Sequence, residues 1–524
     1  MKTFDHIIVG TGINSLVCGA LLARGGEKVL LLERNDRAGG CIRTDEITEP
    51  GFIHDVLSSW HPLFVTSPGY AELRDELEKH GLEYCNTDCP TATVLPDGSS
   101  WILKMSREEN VRRLNEISPG DGDRYQRAMD ELMQSLDLTF ALLGSELWTW
   151  STFKLFALTL FKRGPLYLSQ YFNYCLETAR TWLDNTFKSR TAAACLAAWP
   201  AHTGIGPDSP MSGHMARIIA FTLEVAGCPV VKGGSYRLVE AFEKLINSHG
   251  GEIRLNTDVE KVLIENGEAV GVTTAGGEEY RANRAVICSM TPGQLYQRLL
   301  KNEELPSVVK EQAADFRHGH ADMQIHLALD AAPRWSDSNL DKVAIVHLTP
   351  GLDGVSQAMN EADRGLLPQA ATIVVGQPAA LDPSRVPEGK GLLWIQLQEL
   401  PRVIKGDAAG EIPVAEDGSW TEEAREAYAD RIVDRIAEHI PGLKENILKR
   451  TVLSPADLEA ININLVGGDP YGGDCALDQY FLWRPLKSLK NHSTPFSKLY
   501  HIGASTHPGP GLGGASGYLV AKSL

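Results

Sequence analysis

None of the 524 residues lies in an uninterrupted apolar run of the roughly 18 to 20 residues that a bilayer-spanning helix needs. The most apolar stretch, residues 136–161, is broken by Glu146 and Lys154. Cysteine is scarce: there are nine, scattered singly apart from Cys85 and Cys89. An odd, dispersed set does not make a disulfide framework and suits a reducing compartment. Cys85-x3-Cys89 lacks the second Cys or His pair of a zinc site, so no metal is expected. Basic residues are outnumbered, 50 Lys+Arg against 67 Asp+Glu, and a net charge of -17 repels phosphate backbones, which argues against a nucleic-acid partner. The opening residues lack the apolar core and small-residue cleavage site of a secretory signal, so a cytoplasmic protein starting at its mature N-terminus is expected. Internal repeats and low-complexity tracts are absent too. What remains is an ordinary globular composition, 43% hydrophobic and 22% charged, long enough for about two to four domains.

The first forty residues carry the strongest signal. Residues 5–9 read as a strand, Gly10-Thr11-Gly12-Ile13-Asn14-Ser15 opens a helix to about Gly25, and residues 28–32 read as a second strand. In such a βαβ unit the first glycine permits a tight turn. The second lets the backbone approach a pyrophosphate held at the helix N-terminus. Ser15 stands where the pattern has its third glycine and is small enough for close helix packing. Glu33, 21 positions after Gly12, ends the second strand where a carboxylate can accept from ribose hydroxyls. The candidate cofactor residues here are Gly10, Gly12, Ile13, Asn14, Ser15, Glu33 and Arg34, with Gly39 and Gly40 beyond them.

Residues 50–61 suggest a strand turning into a loop, and residues 71–222 look largely helical. Within that region, residues 136–161 gather Phe140, Trp148, Trp150, Phe153, Phe156 and Phe161. Two readings stand: a buried helix pair in a lid, or a tunnel mouth or monotopic membrane contact edged by Lys162 and Arg163. From Cys228 a βαββ block follows, without a second dinucleotide fingerprint. Residues 292–481 mix strands (323–329, 343–348, 372–376, 392–397) with a helix over 421–440, and residues 377–390 read as a turn-rich surface loop. The chain closes on a short strand, a glycine-rich turn over residues 503–514 and a final helix.

Glu33-Arg34-x4-Gly39-Gly40 resembles the extended fingerprint of FAD enzymes of the amine oxidase and phytoene desaturase superfamily. Gly503-x2-Thr506-His507-Pro508-Gly509-x-Gly511 resembles the carotenoid-desaturase C-terminal signature. Gly467-Gly468-Asp469 and Leu477-Asp478-Gln479 resemble the pattern of its broad branch of pyridine nucleotide-disulphide oxidoreductase domain-containing proteins. The resemblance spans nearly the whole chain. It implies FAD, with the adenine held by backbone at Val259, the loop at residues 50–61 returning toward the isoalloxazine, and Gly503, Pro508, Gly511 and Leu512 on the flavin side. The expected fold is α/β: a Rossmann-like, discontinuous FAD domain (1–66, 228–292 and 495–524), a helical insertion or lid (67–227) and a mixed-sheet substrate domain (293–494).

The expected activity is FAD-dependent dehydrogenation or desaturation, with hydride passing from an apolar, isoprenoid- or terpenoid-like substrate to flavin N5. Loss of a neighbouring proton gives a desaturated product, and water capture gives an alcohol. His61 and His507 are the candidate catalytic proton carriers, since histidine titrates near neutral pH. Electrons would leave to oxygen, a quinone or another carrier. Flavin amine oxidation is the alternative chemistry. A non-catalytic reading also stands, because Rab GDP-dissociation inhibitors and escort proteins resemble this fold: a prenyl-binding protein or a silent subunit of a heteromer. A homo- or hetero-oligomer and peripheral attachment to the inner face of a membrane stay open.

Overall fold

The computed structural model describes residues 2–524. Val29–Leu32 is buried at every position, and so is the second half of Lys2–Val9, as expected of parallel strands covered on both faces. With Glu252–Arg254, Val259–Glu265, Glu268–Thr274, Glu279–Ser289 and Leu499–Ile502 they form a seven-stranded sheet. Lys2–Val9 lies between Val29–Leu32 and Glu279–Ser289, parallel to both. Leu499–Ile502 extends the parallel part, and an antiparallel hairpin edge completes the sheet. Three distant chain segments therefore build one nucleotide domain. Helices Ile13–Arg24, Tyr236–Ser248 and Ala515–Ser523 pack over one face. Ala515–Ser523 lies so close to Ile13–Arg24 that a Cβ on Gly517 would sit 1.8 Å from the carbonyl oxygen of Asn14.

The second sheet runs Ile447–Leu453, Ala321–Leu329, Gly391–Leu400, Ile373–Gly376, Ile345–Leu348, Thr91–Val94 and Ser100–Leu103. Met323, Ile325 and Leu327 turn one face toward Glu422–Ala437, where Tyr428, Ile432 and Ile436 complete a core. The alternate residues, Asp322, Gln324 and His326, occupy the opposite face.

Three sequence expectations are corrected. The segment assigned to a helical lid contains Thr91–Val94 and Ser100–Leu103, which belong to the second sheet because Thr91–Val94 pairs in parallel with Ile345–Leu348. Its first helix, Pro68–Lys79, belongs with the nucleotide domain, burying Leu73 and Leu77 in that core. A buried helix pair over residues 136–161 is also wrong. Asp121–Leu143 has a buried face, whereas Trp150–Leu176, kinked at Gly164-Pro165, buries only Thr152 and Tyr171. Trp150 is 76% and Phe161 90% exposed. No helix among the described residues is long and apolar enough to cross a membrane.

The third correction concerns residues 377–390. The turn-rich composition suggests a surface loop, yet Arg385 within it is completely buried. Its Nη1 donates to Asp55 Oδ2 at 2.6 Å and its Nη2 to the carbonyl of Val231 at 2.6 Å. Asp55 also accepts from Thr44 Oγ1, Ser59 Oγ and the Ser235 amide. Burial alone would raise the Asp55 carboxyl, but Arg385 and these donors overcome it and hold the group below its ordinary range.

Arg385→Met leaves the buried carboxylate uncompensated and is expected to lower stability by about 3–5 kcal/mol at neutral pH. The deficit should shrink on acidification, as Asp55 takes up its proton. The wild type should lose the pair's contribution only as pH falls through the depressed Asp55 value. Urea unfolding midpoints at several pH values check both directions.

Candidate active site

Gly10 turns the chain at φ +92°, with Ser289 O only 3.1 Å from where a Cβ would stand. Gly12 caps the Ile13–Arg24 helix with ordinary extended geometry, and a Cβ there would meet nothing within 4 Å. Gly40, at φ +60°, brings its own backbone against Gly12, at 3.1 Å from the position of a Cβ. The turn is set from behind by Glu33, whose Oε2 accepts from Thr11 N at 3.1 Å and Thr11 Oγ1 at 2.6 Å. Its Oε1 accepts from Asn35 N at 3.0 Å.

These residues line one end of a cavity of about 990 Å³ that runs from the nucleotide turn to the inner face of the second sheet. Gly10, Gly12, Ile13, Asn14, Glu33, Arg34, Gly39, Gly40, Val259, Gly503, Pro508, Gly511 and Leu512 all reach it. Ser15 does not. It is fully buried within the first helical turn and its hydroxyl has no partner, so its part is close packing rather than cofactor contact.

The donor set fits FAD. Thr291 Oγ1, Gln294 Oε1 and Arg298 Nε are buried without partners, and all three residues line the nucleotide end. Arg298 also donates to the carbonyl of Val259 at 3.2 Å. Among the described residues nothing accepts from the N–H groups of Leu512, Gly513 or Gly514, just before the Ala515–Ser523 helix. Such donors with a positive helix end suit negative charge on a bound ring system.

The far end is mostly apolar and aromatic. Trp60 and Trp394 meet edge to face with centroids 6.5 Å apart, and Trp199 stacks on His202 at 4.5 Å. His202 Nε2 lies 3.0 Å from His347 Nε2. Burial first, and then their mutual repulsion, hold the His202 imidazole far below its usual range, and burial holds His347 at about 4. The pair is neutral at physiological pH.

Neither histidine expected to carry protons reaches this cavity. His61 is fully buried, with Nδ1 3.1 Å from the Tyr84 hydroxyl, and burial pushes its imidazole down to about 4. His507 places Nε2 3.0 Å from the Leu142 carbonyl, tying the C-terminal turn to the Asp121–Leu143 helix. Burial, then His492, lower it to about 4 as well. Both read as structural, because burial keeps each one neutral and neither lines the cavity. The residues that the sequence reading missed are Asp322, Gln324, Gln396 and Gln398, which line the cavity from two adjacent strands. Their signal was a period of two: Asp322, Gln324 and His326 alternate with Met323, Ile325 and Leu327, and Trp394, Gln396 and Gln398 with Ile395 and Leu397.

The model of the family described as flavin containing amine oxidoreductase matches residues 16–436. The chain belongs to that family. It is 28% identical to pyridine nucleotide-disulfide oxidoreductase domain-containing protein 2 of Rattus norvegicus, over 98% of this chain and 92% of that one. One of the limonene dehydrogenase subunits of Castellaniella defragrans is 25% identical, covering 100% and 95%. A neurosporene-forming phytoene desaturase of Cereibacter sphaeroides is 23% identical, covering 98% and 92%. The resemblance in the two glycine-rich ends is thus borne out across the chain. A crystal structure of an oxidoreductase from Methanosarcina mazei shares the fold, with a TM-score of 0.63, 16% identity and full coverage of both chains. This flavin oxidoreductase is an FAD-dependent enzyme.

Because a Gly12 side chain would meet no protein atom, Gly12→Val is expected to fold and unfold as the wild type does while occupying the nucleotide end of the cavity. Flavin absorbance per protein after reconstitution with FAD should fall at least tenfold. Undiminished flavin in the folded variant would contradict the cofactor site.

Proposed function

We propose that this enzyme dehydrogenates or desaturates an apolar, isoprenoid- or terpenoid-like compound. The observation that carries the reading is the single cavity joining the nucleotide turn to a far end walled by Trp60, Trp199, Trp394 and Phe221. Bound FAD supplies a two-electron centre that accepts hydride at N5. Glu33, Arg34, the turn at Gly10 to Gly12 and the backbone about Val259 would hold its nucleotide half. The Gly503–Leu512 turn would face the ring system and favour its reduced, anionic form. The aromatic walls hold a hydrocarbon chain by area and exclude water, which favours loss of a proton over capture of water. The electrons would then leave to oxygen, a quinone or another carrier.

The similarity to a limonene dehydrogenase subunit and to a phytoene desaturase supports this substrate class over amines. The former's description as a subunit supports a heteromeric arrangement in this chain too. A peripheral lipid contact belongs to the same reading. The exposed helix Trp150–Leu176 carries Lys154, Lys162 and Arg163 and no acidic residue, in a chain of net charge -17. Cations beside exposed Trp and Phe suit the inner face of an anionic membrane.

Two measurements test these statements. Anaerobic addition of limonene or phytoene is expected to bleach the flavin spectrum, whereas putrescine and cyclohexylamine are not; bleaching by the amines alone would reverse the assignment. Sedimentation with phosphatidylglycerol vesicles is expected to capture the protein, and Trp150→Ser combined with Phe161→Ser to release it. Equal capture of wild type and double variant would remove the lipid contact.

A further inference from the structure

The cavity's far end holds one carboxyl group, and nothing in its surroundings explains it as a structural ion pair. Asp322 is 2% exposed, lines the cavity and sits where the register between Ala321–Leu329 and Gly391–Leu400 shifts, a bulge of the kind that re-aims side chains beside sites. Its Oδ2 accepts from the Gln396 side-chain amide. Its Oδ1 is buried without a partner, as is Oε1 of Gln324 two residues along the same strand face. The titratable groups around Asp322 are Asp469, Tyr471 and Cys41, none of them a cation. Asp469 is itself satisfied by the amides of Gly319, Tyr471 and Gly473 and by His318.

We propose that Asp322 is the catalytic base of this enzyme, taking on Oδ1 the proton that a substrate carbon loses as its neighbour gives up hydride. The proposal rests on the dehydrogenase reading above. One substrate C–H bond breaks with its electron pair, which leaves as hydride to N5 of bound FAD. The adjoining C–H bond breaks toward Asp322, an O–H bond forms, and the electron pair left behind closes the new C=C bond. The substrate is oxidised by two electrons, FAD is reduced by the same two, and the carboxyl later returns its proton to solvent.

Other groups at this end are less suited. His202 and His347 share one hydrogen bond and are kept neutral by burial. Burial raises the Cys41 thiol to about 11 and drives the Tyr471 phenol far above its usual range. Burial, and then the nearby Asp469, raise the Asp322 carboxyl well above its ordinary value, while Gln396 moderates the rise. A carboxylate so poised is a stronger base than an exposed one.

The test compares the wild type with Asp322→Asn, isosteric with the neutral acid, each loaded with FAD. Flavin content should be equal, since Asp322 lies outside the nucleotide cradle. On anaerobic mixing with limonene or phytoene, the wild-type rate of flavin reduction should rise with pH to a plateau as the carboxyl ionises. D322N should be slower by about 100-fold or more and lack that rise. A second readout needs no turnover. A raised carboxyl in the folded state favours folding while protonated, so the wild-type urea midpoint should fall relative to D322N as pH climbs toward the folded value. Should D322N not fold, Gln396→Leu, which removes the amide donor to Oδ2, should move the rise in rate to higher pH. Reduction of D322N within about threefold of wild type and with the same pH profile would overturn the proposal and leave the dehydrogenase reading intact. Reduction by amines alone, with D322N raising only their KM, would make Asp322 a cation anchor and overturn it also. A wild type bleached by neither class would remove the function reading and the proposal together.

Discussion

The buried pair of Arg385 and Asp55 is the constraint on which the arrangement of the site depends. Asp55 collects hydrogen bonds from Thr44, Ser59, the Ser235 amide and Arg385, and Arg385 reaches on to the Val231 carbonyl. Segments far apart in sequence are thereby locked at one point between the nucleotide domain and the second sheet. From that point the chain runs through Leu57 to Trp60 along the cavity wall. The second sheet grips it there, Trp394 donating to the Leu57 carbonyl at 3.2 Å and His326 meeting that of Val56 at 3.1 Å. An ion pair removed from water is poor evidence of net stability, but breaking one partner is costly. Its use here is positional: it seats the aromatic wall against the nucleotide cradle.

The cavity is divided electrically by the same architecture. Its nucleotide end gathers Glu33, Arg34, Asp258 and Arg298 around free backbone donors, a setting for a charged, hydrogen-bonding cofactor. Its far end offers indole and phenyl faces, a neutral histidine pair and the single carboxyl of Asp322. A lone carboxyl in low dielectric is expensive to ionise, and its retention there agrees with a task that needs a proton acceptor. The exposed Trp150–Leu176 helix adds a third environment. It leaves apolar surface in solvent near the Asp121–Leu143 helix, whose Phe140 and Leu143 line the cavity.

Local pattern was enough to read the nucleotide unit, because a tight turn, a helix N-terminus and a strand-end carboxylate lie within 24 residues and have direct backbone consequences. Gly10, Gly12 and Glu33 stand where their spacing put them, as do Gly39 and Gly40. The two histidines expected to carry protons lie off the cavity for an equally physical reason. His61 and His507 lie beside recognisable motifs, but adjacency along the chain does not say which way a side chain faces, and both turn into packing. Asp322 carries no motif; its only trace is alternation on a strand whose burial is decided by partners about 70 and 130 residues away.

By itself the sequence determined the α/β class, the cofactor and the family, since each depends on short-range backbone geometry that glycine and a carboxylate dictate within one supersecondary unit. Tertiary structure alone decided that Thr91–Val94 joins the distant second sheet, that Arg385 is buried in what composition marks as a surface loop, and that Asp322 rather than His61 or His507 faces the cavity. Those outcomes follow from sheet pairing and from the cost of burying charge without a partner, and both are settled only when segments hundreds of residues apart come into contact.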